Sequence, residues 1–264
     1  MKRFAVIPNL YKDPDLKITE KIKKTLASGG IGADVIAEYG TDRLKGYDCA
    51  VVLGGDGTIL DVAKKAAVCG VPVAGINLGR VGYLSSVEPD GIEKLLEIGD
   101  GSHYSERMML SLLYRGEEYT ALNDFVVSEA RAARMISVDV KAHGLPAYEY
   151  CCTALIFSTP TGSSGYNVSA GGPVLDPELH CTVVTPVCPH TGASCSFVYG
   201  GETEFALTNA SSPDKTVMIS SDGALDLPFS LGETVTVRKS PYKVRLIRFD
   251  DEPFTKTLLR KMKI

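Results

Sequence analysis

The sequence predicts an α/β N-terminal domain built on a parallel sheet, followed by a C-terminal all-β domain of two packed sheets. Through residues 1–100, short apolar runs alternate with segments of helical periodicity, the order that gives parallel strands. One of those runs, Cys49–Leu53, is apolar throughout, as in a strand covered on both faces. From Glu106 to about Lys239 the helical period disappears, and strand-like runs follow one another between turn residues.

Taken in order, Phe4–Ile7 reads as the first strand, stopped by Pro8 and Asn9. Asp13 and Pro14 suit an N-cap and first helical position, and Ile18, Ile22 and Leu26 then fall on one helix face. Gly29 and Gly30 end that helix, and Ala33–Ala37 reads as the second strand. After the buried strand Cys49–Leu53 comes a helix over Ile59–Cys69 stopped by Gly70, then a strand over Val71–Ile76. Pro89–Ile98 fits a helix with Ile92, Leu95 and Leu96 facing inward. The β-rich part begins with Leu110–Tyr114, Phe125–Ser128, Ile136–Lys141 and Leu155–Ser158. Thr182–Thr185, Phe197–Val198, Thr216–Ile219 and Thr234–Val237 continue it. Lys243–Phe249 is one more strand, and Phe254–Lys263 a short terminal helix. The organisation predicted is a Rossmann-like domain over residues 1–100, to which 243–264 returns, and a β-sandwich over 101–242, with a cleft between them where ligands prefer to sit.

Composition narrows the function. A chain of 264 residues can bury a sizeable core without staples. Its 28 Lys+Arg against 32 Asp+Glu leave a net charge of −4, which disfavours a bulk nucleic-acid or anionic-membrane binder. Seven cysteines, two of them adjacent, do not form a disulfide framework. No stretch approaches the roughly 18 apolar residues of a membrane span, and the N-terminus does not read as a signal peptide. The reading is a cytoplasmic protein with reduced thiols. His180, Cys181, Cys188, His190 and Cys195 lack the paired spacing of a zinc template, so no metal site is assigned to protein ligands.

The composition holds 26 glycines, and nine of them fall in three places: Gly54, Gly55 and Gly57; Gly162, Gly165, Gly171 and Gly172; and Gly79 and Gly82. Gly54-Gly55-Asp56-Gly57-Thr58 lies between a buried strand and a helix, where amide groups and the helix N-terminus favour phosphate. A strand-to-helix turn capped by Asp56 is the plainer reading, but a cap does not require three surrounding glycines. Ser158–Pro173 is a long segment with four glycines, many hydroxyls and one Tyr; small residues admit a flat ligand, and hydroxyls bond polar edges. A flexible surface loop is the alternative, opposed by Pro160 and Pro173. Asn123 beside Asp124 offers an amide and a carboxylate to a ribose diol or a base, although such pairs are common in turns.

Together these residues resemble the NAD kinase family. The match runs from about residue 48 to 225 and includes Gly75–Leu84, Thr185–His190 and Ser220–Gly223. The resemblance implies transfer of a phosphoryl group from ATP, or polyphosphate, to the adenosine ribose 2′-hydroxyl of NAD. It also implies Mg²⁺ or another divalent cation accompanying ATP, NAD as substrate, and a homodimer or homotetramer. On the matching positions, Asp56 would be the general base and Gly55 and Gly57 would cradle phosphate. Asn123 and Asp124 would contact ribose and adenine, with Thr161, Ser164, Gly165, Tyr166 and Ser169 lining the pocket. Arg134 stands where relatives often carry a basic or His ligand, or it is a solvated charge. Two positions depart from the pattern. Thr153 replaces a carboxylate that contacts the dinucleotide, an acceptor worth roughly 1.5–3 kcal/mol if fully used. Asp61 replaces a basic residue, which calls for compensation by Mg²⁺ or by Lys64 and Lys65. A kinase sharing the pentad but acting on a lipid or nucleoside hydroxyl, and a non-catalytic dinucleotide-binding protein, are the alternative readings.

Overall fold

A computed structural model describes residues 2–38, 40–79, 82–99, 101–131, 134–191, 194–249 and 253–262. Arg80 and Val81 of the Gly75–Leu84 segment, and Lys263 and Ile264 of the expected terminal segment, lie outside the described residues. The chain divides into two compact units, Met1–Arg107 with Tyr242–Ile264, and Met108–Pro241.

The first unit opens with strand β1 (Arg3–Ile7), helix α1 (Lys17–Ser28), strand β2 (Gly32–Val35) and the short helix α2 (Thr41–Leu44). Strand β3 (Cys49–Gly54), helix α3 (Asp56–Val68) and strand β4 (Val73–Asn77) follow. The strands pair in parallel in the order β2-β1-β3-β4, and the end of a later strand adds beside β4 through Leu246 and Val73. Every residue of β3 and β4 is buried, as the unbroken apolar run requires of a central parallel strand. Phe4, Val6, Ile22, Leu26, Val51, Leu53 and Ile76 form the core of this unit.

Three local expectations change. Helix α1 does not start at Asp13 and Pro14. A turn closes first, Leu16 N–H donating to the Asp13 carbonyl at 3.1 Å, and Leu16 takes a left-handed φ of 53°. The Asp13 carboxylate still serves the helix start by accepting from the Ile18 and Thr19 amides at 3.1 and 2.9 Å. Helix α3 begins earlier than expected, at Asp56, because extended Gly55 offers its carbonyl to the Thr58 and Ile59 amides at 3.0 and 3.1 Å. Pro89–Glu97 is a 3-10 helix broken at Gly91, so Ile92 and Leu95 are buried while Leu96 turns out to solvent.

The chain crosses into the second unit within β5 (His103–Tyr114), which pairs with β6 (Glu117–Ala121). Then come β7 (Asp124–Glu129), β8 (Ile136–Ala142), β9 (Leu145–Cys152) and β10 (Ala154–Ser158). A 3-10 turn (Gly162–Ser164) and helix α4 (Tyr166–Ser169) occupy the Ser/Gly-rich segment. Strands β11 (Cys181–Val187), β12 (Phe197–Gly200), β13 (Phe205–Asn209), β14 (Val217–Ser221) and β15 (Leu225–Pro228) lead to β16 (Thr234–Arg248) and helix α5 (Phe254–Met262). The strands expected over Thr234–Val237 and Lys243–Phe249 are thus one continuous strand, β16. Strands β6, β9, β13 and β15 carry no counterpart in the sequence reading.

One antiparallel sheet has the order β12-β11-β10-β7-β14-β15. Against it lie β9-β8-β13 and the first half of β16. Phe125, Val127, Leu155, Phe157 and Ile219 of the first sheet meet Ile136, Val138, Phe205, Leu207 and Val237 of the second in one core. The Phe157 and Phe205 rings meet edge-on, 5.3 Å between centroids. This is the two-sheet packing that alternating strands demand, and each buried Phe contributes on the order of 1.5–3 kcal/mol.

Candidate active site

The first unit's candidate feature is the turn between β3 and α3. As the first residues of α3, Asp56 and Gly57 have amides with no intrahelical carbonyl within reach, which leaves the helix N-terminus suited to an anion. The Asp56 side chain makes no cap; its carboxylate instead accepts from the Tyr83 amide, at 2.9 and 3.1 Å to its two oxygens, and from the Leu84 amide at 3.2 Å. The capping alternative is therefore set aside. Backbone from the loop after β4 holds this carboxylate in one orientation. Gly82 makes the approach possible, since a Cβ there would stand 2.5 Å from Asp56 Oδ1. On the other side, Asn9 Nδ2 donates to Thr58 Oγ1 at 2.9 Å and ties the turn after β1 to the pentad. Asp61 is compensated within its own helix by Lys65, 3.0 Å away.

The second unit's candidate feature is assembled by sheet register. Asp124 at the start of β7 pairs with Ser158 at the end of β10, and Phe125 pairs with Ser221 at the end of β14. Antiparallel pairing thereby gathers the Asn123-Asp124 turn, the Ser158–Pro173 segment and the Ser220–Gly223 turn at one end of one sheet. Asn123, Asp124, Tyr166, Ser220, Asp222 and Gly223 line a cavity of about 430 Å³ there. Asp222 is the organiser that sequence reasoning gave no role of its own. Its carboxylate accepts from the Leu122, Asn123 and Asp124 amides at 3.0, 2.8 and 3.1 Å. Its left-handed φ of 50° and the following Gly223 are the local signal of that turn. Burial, and then the nearby charge of Asp222, push the Asp124 carboxyl up to about 7.

Most hydroxyls of the Ser158–Pro173 segment serve the segment itself. Thr159 Oγ1 donates to the Leu122 carbonyl at 2.6 Å and accepts from the Gly162 amide at 3.0 Å. Ser163 Oγ donates to the Pro160 carbonyl at 2.6 Å and accepts from the Leu175 amide at 2.9 Å. Asn167 is wholly buried, donating to the Pro173 carbonyl at 2.8 Å and accepting from Thr185 Oγ1 at 2.6 Å. Gly162 seats directly on the Asn123 backbone, where any Cβ would collide. The segment is an ordered frame, not a flexible surface loop. Tyr166 stands outside this network, 44% exposed at the cavity wall, and Gly165 beside it is exposed. Thr161 Oγ1 is buried with no hydrogen-bond partner among the described residues, and Ser164 is half-buried. Ser169 Oγ donates to the Gly165 carbonyl at 3.3 Å.

Of the sequence candidates in this unit, Asn123, Asp124 and Tyr166 line the cavity, whereas Thr161, Ser164, Gly165, Ser169, Arg134 and Thr153 do not. Arg134 faces Asp214 at 3.4 Å on the surface. The Thr153 hydroxyl donates to the Val187 carbonyl at 3.0 Å, so it is committed to strand β11.

The ATP-NAD kinase N-terminal domain model matches residues 9–98, and the ATP-NAD kinase C-terminal domain model matches 122–249. An NAD kinase of Heliobacterium modesticaldum is 41% identical over 84% of this chain and 80% of its own length. That of Symbiobacterium thermophilum is 37% identical over 99% of both chains. The crystal structure of an NAD kinase from Archaeoglobus fulgidus in complex with ATP superposes with a TM-score of 0.84 at 25% identity, covering 99% of each chain. With the glycine–aspartate turn and the amide–carboxylate cavity both in place, these matches show that the chain belongs to the NAD kinase family.

Proposed function

We propose that the protein transfers the terminal phosphoryl group of ATP to the adenosine ribose 2′-hydroxyl of NAD, giving NADP and ADP. The observation that carries this reading is the Asp56 carboxylate, aimed by the Tyr83 and Leu84 amides instead of capping its own helix. In this role Asp56 accepts the hydroxyl proton as the new oxygen–phosphorus bond forms and the bridging bond to ADP breaks. Gly55 and Gly57 leave backbone room for phosphate at the start of α3. Asn123, Asp124 and Tyr166 recognise the adenosine end of the dinucleotide in the cavity of the second unit. Thr161, Ser164, Gly165 and Ser169 flank Tyr166 in the same segment and complete the proposed binding set without lining the cavity themselves. Arg134 and Thr153 have no part in this set.

A divalent cation accompanying ATP is part of the same proposal. No group of three or more His, Cys, Asp or Glu side chains converges among the described residues, so such an ion would be held chiefly by the phosphates it accompanies. No helix among the described residues is long and apolar enough to cross a membrane. A cytoplasmic homodimer or homotetramer is part of the same proposal. The deciding experiment is NADP formation by the purified chain, with ATP against polyphosphate as donor and NAD against NADH as acceptor. Turnover of ATP with NAD is the result expected. Turnover of a lipid or nucleoside hydroxyl with none of NAD overturns the reading, and so does tight NAD binding without turnover from any donor.

A further inference from the structure

We propose that Lys12 is a ligand of the donor's terminal phosphates, an inference that rests on the reading above. In the sequence Lys12 is one charge in a polar turn after β1, 44 positions before Asp56, and no pattern marks it. The fold gives it a fixed root. The Asn9 carbonyl accepts from the Lys12 and Asp13 amides at 3.0 and 2.9 Å, and Asn9 Oδ1 accepts from the Tyr11 amide at 3.1 Å. Asn9 Nδ2 binds Thr58 of the pentad, and Asp13 is buried against the start of α1. Both flanks of the turn are therefore anchored.

From that root the ammonium lies against two glycines of two different loops. Lys12 Nζ is 3.1 Å from the point a Cβ on Gly55 would occupy and 2.8 Å from the corresponding point at Gly79. A Cβ at Gly79 would displace the ammonium, and one at Gly55 would press on it. No hydrogen bond or ion pair joins this ammonium to another described residue. Its location is electrostatically unfavourable for a lone cation, because the N-terminus of α3 already carries the positive end of the helix dipole. An anion resolves the conflict by sharing both. The linear array of phosphates on the donor supplies one with charge to spare, and an ammonium on a flexible stem suits a charge that moves during transfer. The diphosphate of the dinucleotide offers the same chemistry, and the test separates the two.

Lys12→Met keeps the stem and removes the charge. In steady-state NADP formation it is expected to lower kcat/KM for ATP about 10- to 100-fold, with KM for NAD within twofold of the parent. Lys12→Arg is expected to recover most of the loss, and the exposed position predicts an unchanged unfolding temperature. Calorimetric titration with ATP gives a readout independent of turnover, with affinity expected to fall by a similar factor in Lys12→Met. Unchanged ATP parameters overturn the proposal, and a loss confined to KM for NAD reassigns Lys12 to the dinucleotide diphosphate. If the parent makes no NADP, the larger functional reading fails separately, and the ATP titration still decides for or against Lys12.

Discussion

In the turn after β3 and in the segment after β10, glycine does two different jobs. Around the first, glycines leave space for charged side chains, with Asp56 Oδ1 against Gly82 and Lys12 Nζ against Gly55 and Gly79. Around the second, they leave space for the frame, with the Asn123 backbone against Gly162 and the Asn167 amide against Gly172. The first turn is open so that chemistry can enter. The second is closed on itself so that a shape can persist. The same residue type thus marks the proposed reacting centre in one unit and an ordered frame in the other, and variants at the two places should fail in different ways.

The largest effect is expected from Asp56→Asn. It should leave unfolding stability nearly unchanged and lower kcat about 10³-fold or more, measured as NADP formed per enzyme under saturating substrates. Activity within tenfold of the parent would remove Asp56 from the base role. Gly162→Ala should show the opposite profile. Its Cβ falls on the Asn123 backbone, so it should cost roughly 3 kcal/mol or more in denaturant unfolding, with activity lost along with the fold. A stable Gly162→Ala variant with only a raised KM for NAD would erase the distinction between frame and reacting centre.

Asp124 tests whether the frame also carries charge. Its folded value of about 7 lies above the ordinary carboxylate value of 3.8, so the folded state holds the extra proton between those two limits. Stability contributed by this group is therefore lost as pH rises through that window, the reverse of a salt-bridged Asp. Asp124→Asn should flatten the pH dependence of the unfolding temperature from about pH 4 to 7 and gain roughly 1–4 kcal/mol at pH 8, while raising KM for NAD. An unaltered pH profile in the variant contradicts the assignment. The smallest effect belongs to Thr153→Val. Loss of its bond to the Val187 carbonyl should cost about 1 kcal/mol in unfolding, with KM for NAD changed less than threefold. A larger rise in KM would return Thr153 to the binding surface.

Legibility followed the strength of local physical signals. β3 and α3 were readable because an unbroken apolar run, a glycine turn and a helical period stand next to each other in the chain. β9 was not readable, since four of its eight residues are exposed, Leu145 and Tyr148 among them, and the alternation that marks a strand has no continuous apolar face to show. β6 has the same weakness, with two exposed Glu at its start. The start of α1 was misplaced because Asp13 does satisfy helix amides, only across an intervening turn that ends in left-handed Leu16. In the proposed site, Asp56, Asn123, Asp124 and Tyr166 stand in motifs that the sequence displays. Lys12 and Asp222 act at a distance in sequence, Asp222 capping amides about 100 positions upstream, and no spacing rule reaches that far.

The internal bonding of the Ser158–Pro173 segment has a kinetic consequence. Thr159, Ser163 and Asn167 find their partners within the protein, so much of this wall need not organise when a ligand arrives. The entropy of ordering it was spent during folding, and little remains to be lost on encounter. Capture of the dinucleotide by this unit should then proceed in a single concentration-dependent phase whose rate follows diffusion and orientation, without a later step of loop rearrangement.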